Sequence, residues 1–142
     1  MRSCFLYLGV ALIALQAACQ KKVERLPVFP VRGKVLVEGQ PAAGARVGFY
    51  PLDDPFAPKP QAQVGADGSF RLSTYETGDG APAGRYGVTI AWPGPNPRSN
   101  GEGDEEIEGP DRLRGRYSDP QTSKWKIEVG SQPLELEPFN VE

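Results

Sequence analysis

Short stretches of alternating apolar and polar residues, separated by turn residues, follow one another from residue 31 to the end of the chain. An apolar residue at every second position is typical of a β-strand with one buried face, because successive side chains point to opposite sides. We find seven such stretches, and no helical period of useful length. Their predicted inward-facing residues are Val31, Gly33, Val35 and Val37; Ala45, Val47 and Phe49; Ala62 and Val64; Phe70 and Leu72; Tyr86, Val88, Ile90 and Trp92; Trp125, Ile127 and Val129; and Leu134 and Leu136.

Turn residues separate the predicted strands. The sequence EGQP (38–41) predicts a turn after the first strand, and ADGS (66–69) predicts a hairpin because its glycine supplies a positive φ. Seven strands that each have one apolar face must bury those faces, and two antiparallel sheets packed face to face do so. We therefore predict an all-β fold, a seven-stranded antiparallel β-sandwich over residues 31–142 that is Ig-like or transthyretin-like.

Composition supports this fold and excludes several functions. Glycine (17) and proline (15) together make up about a fifth of the 142 residues, which suits a protein with many turns. The net charge of −2 gives no basic footprint for nucleic acid. Histidine is absent, so the chain lacks the commonest general base, the usual catalytic triads and the commonest metal ligand.

The start of the chain has the pattern of an export signal. Arg2 is followed by an apolar run over residues 5–15, which at about 11 residues is shorter than the roughly 20 that a membrane-spanning helix needs. Gln16-Ala17-Ala18-Cys19 then closes the run and resembles the lipobox of bacterial lipoproteins.

That resemblance implies cleavage after Ala18 and a lipid-modified Cys19 as the first mature residue. Residues 1–18 would be the signal peptide, and residues 19–30 would hold the lipidated cysteine and a tether. The 11 residues from 20 to 30 reach at most about 39 Å. The open alternative is a secreted or signal-anchored protein in which Cys19 is incidental, although a single free thiol is unusual in an exported chain.

Three blocks of the predicted sandwich share motifs with a known domain family. The first is VRGKVLVEGQPAAGARVGFYPLD (31–53), and the second, DGSFRLSTYETGDGAPAGRYGVTI (67–90), contains DG-x-F and P-A-G-x-Y. These blocks resemble the opening and the following block of carboxypeptidase regulatory-like domains. PDRLRGRYSDPQTSKWKIEV (110–129) is similar to the closing block of small bacterial envelope lipoproteins that carry this domain. The resemblance implies a transthyretin-like sandwich that is not itself catalytic.

The most acidic segment, GEGDEEIEG (101–109), is a candidate contact loop. It contributes Glu102, Asp104, Glu105, Glu106 and Glu108. Calcium prefers clustered oxygen ligands, but the twelve-residue pattern of an EF-hand is absent, so we favour a solvated loop without a metal. Three arginines, Arg112, Arg114 and Arg116, follow closely and are candidates to neutralise it. We expect residues 95–109 to be mobile and outside the core, and Leu113 and Tyr117 to return the chain to the sandwich.

Two further patterns resemble functional sites. Ser123 and Lys126 match the S-x-x-K motif of penicillin-recognising enzymes, but those residues act from a helix and the partner motifs are missing. Trp92 and Trp125 share strand faces with aliphatic residues, which favours core packing over a sugar-stacking platform.

The sequence thus predicts a non-enzymatic, lipid-anchored protein of the bacterial cell envelope, exported and facing outward from the cytoplasm, with a structural, adhesive or binding role. It predicts no cofactor, contact with the membrane through the anchor, and an envelope protein or polysaccharide as a possible further partner. The alternative is a small-ligand carrier or periplasmic binding module, which would need an apolar pocket. A hydrolase is disfavoured because histidine is absent.

Overall fold

The computed structural model describes residues 24–96 and 108–142, and this part of the chain is all-β with no helix. The strands follow the predicted alternation and end at glycine, proline or aspartate-containing turns. They are β1 (Val28–Phe29), β2 (Val31–Val37), β3 (Gln40–Pro41), β4 (Arg46–Pro51), β5 (Gln61–Gln63), β6 (Ser69–Arg71), β7 (Ala81–Pro82), β8 (Gly84–Ala91), β9 (Lys126–Val129), β10 (Leu134–Glu135) and β11 (Phe139–Val141).

Two main sheets contain most of the strands. One has the order β5-β4-β8-β9 and is antiparallel throughout. The other is built around β2, which pairs antiparallel with β3 and β6 and parallel with β10 and β11. Strands β1 and β7 form a small separate ladder. An antiparallel bridge between Gln61 and Ser73 links the two main sheets along one edge.

Each of the seven predicted strands has a counterpart, namely β2, β4, β5, β6, β8, β9 and β10, but the strand set is larger than predicted. Four segments of two or three residues, β1, β3, β7 and β11, are additional. The sheet around β2 is also mixed, in contrast to the purely antiparallel prediction. The chain returns to β2 through β10 and β11 only after a long excursion, and such a crossover allows parallel pairing.

The inner faces of both main sheets share one hydrophobic core. The predicted inward positions of β2, β4 and β8 are confirmed, because most of their side chains are almost completely buried. Val37 and Trp92 are partly buried and pack against the same core. At the inward position Gly33 there is no side chain, and the Phe70 ring occupies that space, 2.7 Å from where a Cβ would be. The buried apolar residues are Val31, Val35, Ala42, Ala45, Val47, Phe49, Val64, Phe70, Leu72, Ala81, Tyr86, Val88, Ile90, Leu113, Val129, Phe139 and Val141.

The segment between β8 and β9 also belongs to the fold. Leu113 is buried in the core, and Tyr117 packs against it, which confirms the predicted return of the chain. The Ile90 amide donates to the Tyr117 carbonyl (3.0 Å) and the Val88 amide donates to the Trp125 carbonyl (3.1 Å). Strand β9 pairs only with the first half of β8, and these two bonds give the backbone amides of the second half their partners. The edge of β8 is therefore not open there.

The register of the strands defines two ends of the molecule. We call the end at which β2 begins the proximal end; the end of β4, the start of β8 and the loops of residues 52–60 and 72–83 lie there. We call the opposite end the distal end. It carries the two-residue turn at Glu38 and Gly39, whose φ values of 51° and 79° suit a tight hairpin, and both ends of the segment that joins Trp92 to Asp111.

Candidate functional site

The predicted site residues fall mostly in the parts of the chain that the structure leaves undescribed. Cys19 and the cleavage position after Ala18 lie outside the described residues, as do Glu102, Asp104, Glu105 and Glu106. The expected mobility of residues 95–109 concerns largely the same stretch, 97–107. Of the predicted acidic contact residues, the structure places Glu108.

Glu108 forms an ion pair with Arg46, the first residue of β4. Both side chains are about half exposed, so the pair lies on the surface and is worth at most about 1 kcal/mol. Two of the three arginines expected to neutralise the loop have other contacts. The Arg112 guanidinium lies over the Trp92 ring, 4.6 Å from its centroid, and Arg116 donates to the Glu142 carbonyl.

A short ladder closes the base of the acidic loop at the distal end. Pro93 and Asp111 form an antiparallel bridge, the Gly94 amide donates to the Pro110 carbonyl (3.0 Å), and the Gly109 amide donates to the Gly94 carbonyl (3.0 Å). Gly109 fits because a Cβ there would lie 2.3 Å from the Pro95 carbonyl oxygen. The two ends of the loop are thus fixed to each other independently of what lies between them.

Asp111 organises the chain after this ladder. Its Oδ1 accepts hydrogen bonds from the Trp92 amide (2.8 Å) and the Leu113 amide (3.0 Å), and its Oδ2 accepts one from the Gly115 amide (2.9 Å). Burial opposes ionisation of the carboxyl, but these three bonds outweigh it, so the pKa of Asp111 lies below its ordinary value. The carboxylate therefore holds the end of β8 and the following turn together at neutral pH.

The two tryptophans lie at the margin of the core and are half-buried. Trp92 donates from Nε1 to the Ala43 carbonyl (2.9 Å). Trp125 packs between Tyr117 and Phe139, with ring centroids 5.3 and 5.2 Å away, and the Lys124 ammonium lies over its ring at 4.6 Å. These contacts give both rings a structural role in joining loops to the core.

The Ser123 and Lys126 side chains both contact main-chain carbonyls. The Ser123 hydroxyl donates to the Val88 carbonyl (2.6 Å), and the Lys126 ammonium donates to the carbonyls of Pro120 (2.6 Å) and Gln121 (2.8 Å). Ser123 thus fastens the segment before β9 to β8, and Lys126 fastens the same segment to β9, so both have a structural function.

The proximal end has a feature that the sequence analysis missed, because residues 24–30 lie against the folded domain. Arg25 forms an ion pair with Glu76 (3.7 Å) and lies over the Tyr75 ring (5.2 Å), and the Leu26 amide donates to the Tyr75 hydroxyl (3.0 Å). Strand β1 then pairs with β7. Two apolar residues between Pro27 and Pro30 were the only sequence signal for this strand.

Gly80 permits this contact. Its φ is 105°, and a Cβ there would lie 1.9 Å from the Phe29 carbonyl oxygen. The neighbouring loop is fixed by Asp79, whose carboxylate accepts hydrogen bonds from the amides of Thr74, Tyr75 and Glu76. Burial opposes ionisation of Asp79, yet these bonds outweigh it and lower its pKa.

The loop of residues 52–60 presents the most exposed large apolar side chain in the described part of the molecule. Phe56 is 95% exposed. Its amide donates to Asp54 Oδ1 (2.9 Å), and the Ala57 amide donates to the Asp54 carbonyl (3.1 Å), so a turn fixes the tip. At the base of the loop, Asp53 accepts two hydrogen bonds from Arg85, and these bonds lower the pKa of Asp53.

Within residues 24–96 and 108–142, no group of three or more cysteine, aspartate or glutamate side chains is placed to hold a metal ion. No helix in these same ranges is long and apolar enough to cross a membrane. Comparison of the chain with family models, with curated proteins and with solved structures finds no match.

Proposed function

We propose that the protein is a non-enzymatic lipoprotein of the bacterial cell envelope, anchored through Cys19 and carrying one transthyretin-like β-sandwich. The observation that carries the proposal is the short apolar run that ends at Gln16-Ala17-Ala18-Cys19. Cleavage after Ala18 would make Cys19 the first mature residue. Acyl chains contribute roughly 0.8 kcal/mol for each buried CH2 group, so more than one chain would anchor the protein stably.

The described contacts support a structural or binding role. The charged and hydroxyl groups weighed as catalytic candidates, Ser123 and Lys126, hold the backbone of neighbouring segments. The carrier alternative requires an apolar cavity, and the buried apolar side chains of the described residues belong to a single packed cluster.

The placement of the two ends suggests how such a protein is oriented. The chain arrives from Cys19 at the proximal end, and the acidic loop begins and ends at the distal end. An anchored molecule would therefore hold the base of this loop on the side away from the anchor. We propose the acidic loop as the contact for an envelope protein or polysaccharide.

Replacement of Cys19 tests the anchor. The Cys19→Ala chain, expressed with its complete leader in a bacterial host, should leave the membrane fraction and become soluble. Cys4→Ala is the matched control, because Cys4 lies inside the proposed signal peptide, and this variant should fractionate like the parent. If Cys19→Ala remains in the membrane fraction to the same extent as the parent, the proposal fails.

A further inference from the structure

The proximal end carries exposed apolar side chains on ordered backbone. Phe56 projects from the loop of residues 52–60, and Leu26, which is 48% exposed, precedes β1 at the same end. An exposed phenylalanine on a mobile loop would need little explanation. Phe56 instead lies on a turn fixed by Asp54, in a loop that contains Pro55, Pro58 and Pro60. The ring is therefore held out into solvent by rigid structure, which is typical of a contact residue.

The distance from Cys19 decides what the proximal end can contact. Because residues 24–30 are bound to the domain, only the chain from Cys19 to Glu24 can act as a tether. Five residue steps span at most about 18 Å, which is less than half of the reach predicted for a tether extending to residue 30. A domain attached to lipid at Cys19 must then remain close to the bilayer surface.

The same short tether restricts orientation. The chain enters the fold at the proximal end, where Arg25 and Leu26 contact the loop that contains Tyr75. That end consequently lies nearer to the bilayer than the distal end does. The loop of residues 52–60, which carries Phe56, follows β4 at this end. The ion pair of Asp53 with Arg85 fixes the start of this loop to β8.

The proximal end carries charges of both signs, and Glu24 and Asp54 are exposed carboxylates there. Asp53 is paired with Arg85, and Glu76 is paired with Arg25, so two of the carboxylates present there are neutralised locally. The exposed Lys59 follows Phe56 in the loop and adds a positive charge. An aromatic side chain beside a lysine suits the membrane interface, where the ring enters the headgroup region and the ammonium stays in water.

We propose that the proximal end is a membrane-docking surface, and that Phe56 inserts into the interface of the bilayer to which the protein is anchored. The partner is the lipid surface itself. The inference rests on the proposed acylation of Cys19, and it adds an orientation in which the distal end and the acidic loop point away from the membrane.

The test places a small fluorophore close to Phe56 while keeping the ring. In the acylated mature chain the sulfur of Cys19 is blocked and Cys4 has been removed, so Lys59→Cys supplies the single reactive thiol. The matched control is Gln40→Cys, an exposed position that directly follows the distal turn. Both lipidated proteins are labelled with bimane and reconstituted into phosphatidylethanolamine–phosphatidylglycerol vesicles that contain doxyl-labelled lipid.

The proposal predicts quenching of the probe at residue 59 and only background quenching at residue 40. Adding Phe56→Ala to the Lys59→Cys protein should return the signal at residue 59 to background, while the protein still floats with the vesicles. Equal quenching at residues 59 and 40, or quenching at residue 59 that survives Phe56→Ala, would overturn the docking surface. If the mass of the chain shows no acyl groups and the protein does not float with the vesicles, the proposed acylation of Cys19 is wrong. The docking surface, which rests on it, is then wrong as well.

Discussion

The carbonyl oxygen of Pro120 lies directly over Gly87, at 2.1 Å from the position that a Cβ on that glycine would occupy. Gly87 is on β8, opposite Lys126 of β9, and the Lys126 ammonium donates to the same Pro120 carbonyl. The outer face of β8 is thus covered by the segment that precedes β9. A glycine within a strand allows this approach of one backbone to another.

The first prediction follows from this contact. Gly87→Ala should destabilise the fold by about 1–3 kcal/mol, because the added methyl group meets main-chain atoms that cannot rotate away. The matched control is Gly130→Ala, where a Cβ meets nothing within 4 Å and stability should change little. Urea denaturation of both variants provides the measurement. Equal stability of the two variants would contradict the close packing of Pro120 on β8.

The second prediction concerns the inner face of β8. Ile90 is 1% exposed, and Ile90→Ala should cost about 2–5 kcal/mol, because it removes a buried side chain and leaves a cavity. Thr89 points to the other face and is partly exposed, so Thr89→Ala should cost clearly less. Denaturant melts that gave the same loss for both variants would contradict the register of β8 against β4.

Alternation was sufficient to find β2, β4 and β8, because each has one apolar face and is long enough for the period to show. It did not find β1, β7 or β11, because each is two or three residues long and has a proline within it or directly beside it, which interrupts the pattern. Their pairing depends on distant contacts, such as that of Phe29 with Ala81, which local sequence does not encode.

The candidate surfaces were harder to predict for a similar reason. The acidic composition identified Glu108 as a surface residue, but its partner Arg46 is 62 residues away. Phe56 lies between two predicted strands, yet nothing local distinguishes an exposed aromatic from one that folds back onto the core. The docking of residues 24–30 depends on Tyr75, Glu76 and the positive φ of Gly80, and all three lie in another segment.

The third prediction uses the lowered pKa of Asp111. A carboxyl whose pKa is lower in the folded chain than its ordinary 3.8 adds stability above that value and loses it as the pH falls through the folded pKa. Asp111→Asn should cost about 1.5–3 kcal/mol at pH 7, because the amide cannot accept all three backbone bonds as a charged carboxylate does. The variant should also lose less stability than the parent as the pH is lowered below about 4.

Equilibrium unfolding at a series of pH values checks both parts of this prediction. Glu137→Gln is the control, because Glu137 is exposed and its replacement should leave the stability at pH 7 nearly unchanged. If Asp111→Asn and the parent lose stability in parallel down to pH 2, the carboxylate of Asp111 does not organise the turn.

The fourth prediction concerns the acidic loop. Replacing residues 97–107 with a short glycine-serine link should leave the Tm within a few degrees of the parent. The bonds between Gly94, Gly109 and Pro110 remain, and closure entropy depends only weakly on loop length. Replacing residues 94–110 removes that ladder and should lower the Tm further. A large loss of Tm in the shorter replacement would show that residues 97–107 pack as part of the structure.

The central claim is that Cys19 is the lipidated first residue of the mature protein, and the mass of the chain tests it most directly. The protein should be produced with its leader in a bacterial host and extracted from membranes with detergent. The account predicts a mass equal to that of residues 19–142 plus a diacylglyceryl group on the sulfur and a fatty acyl group on the amine of Cys19. A chain whose Cys19 carries a free thiol would contradict the account, whether the leader is cleaved at another position or is retained.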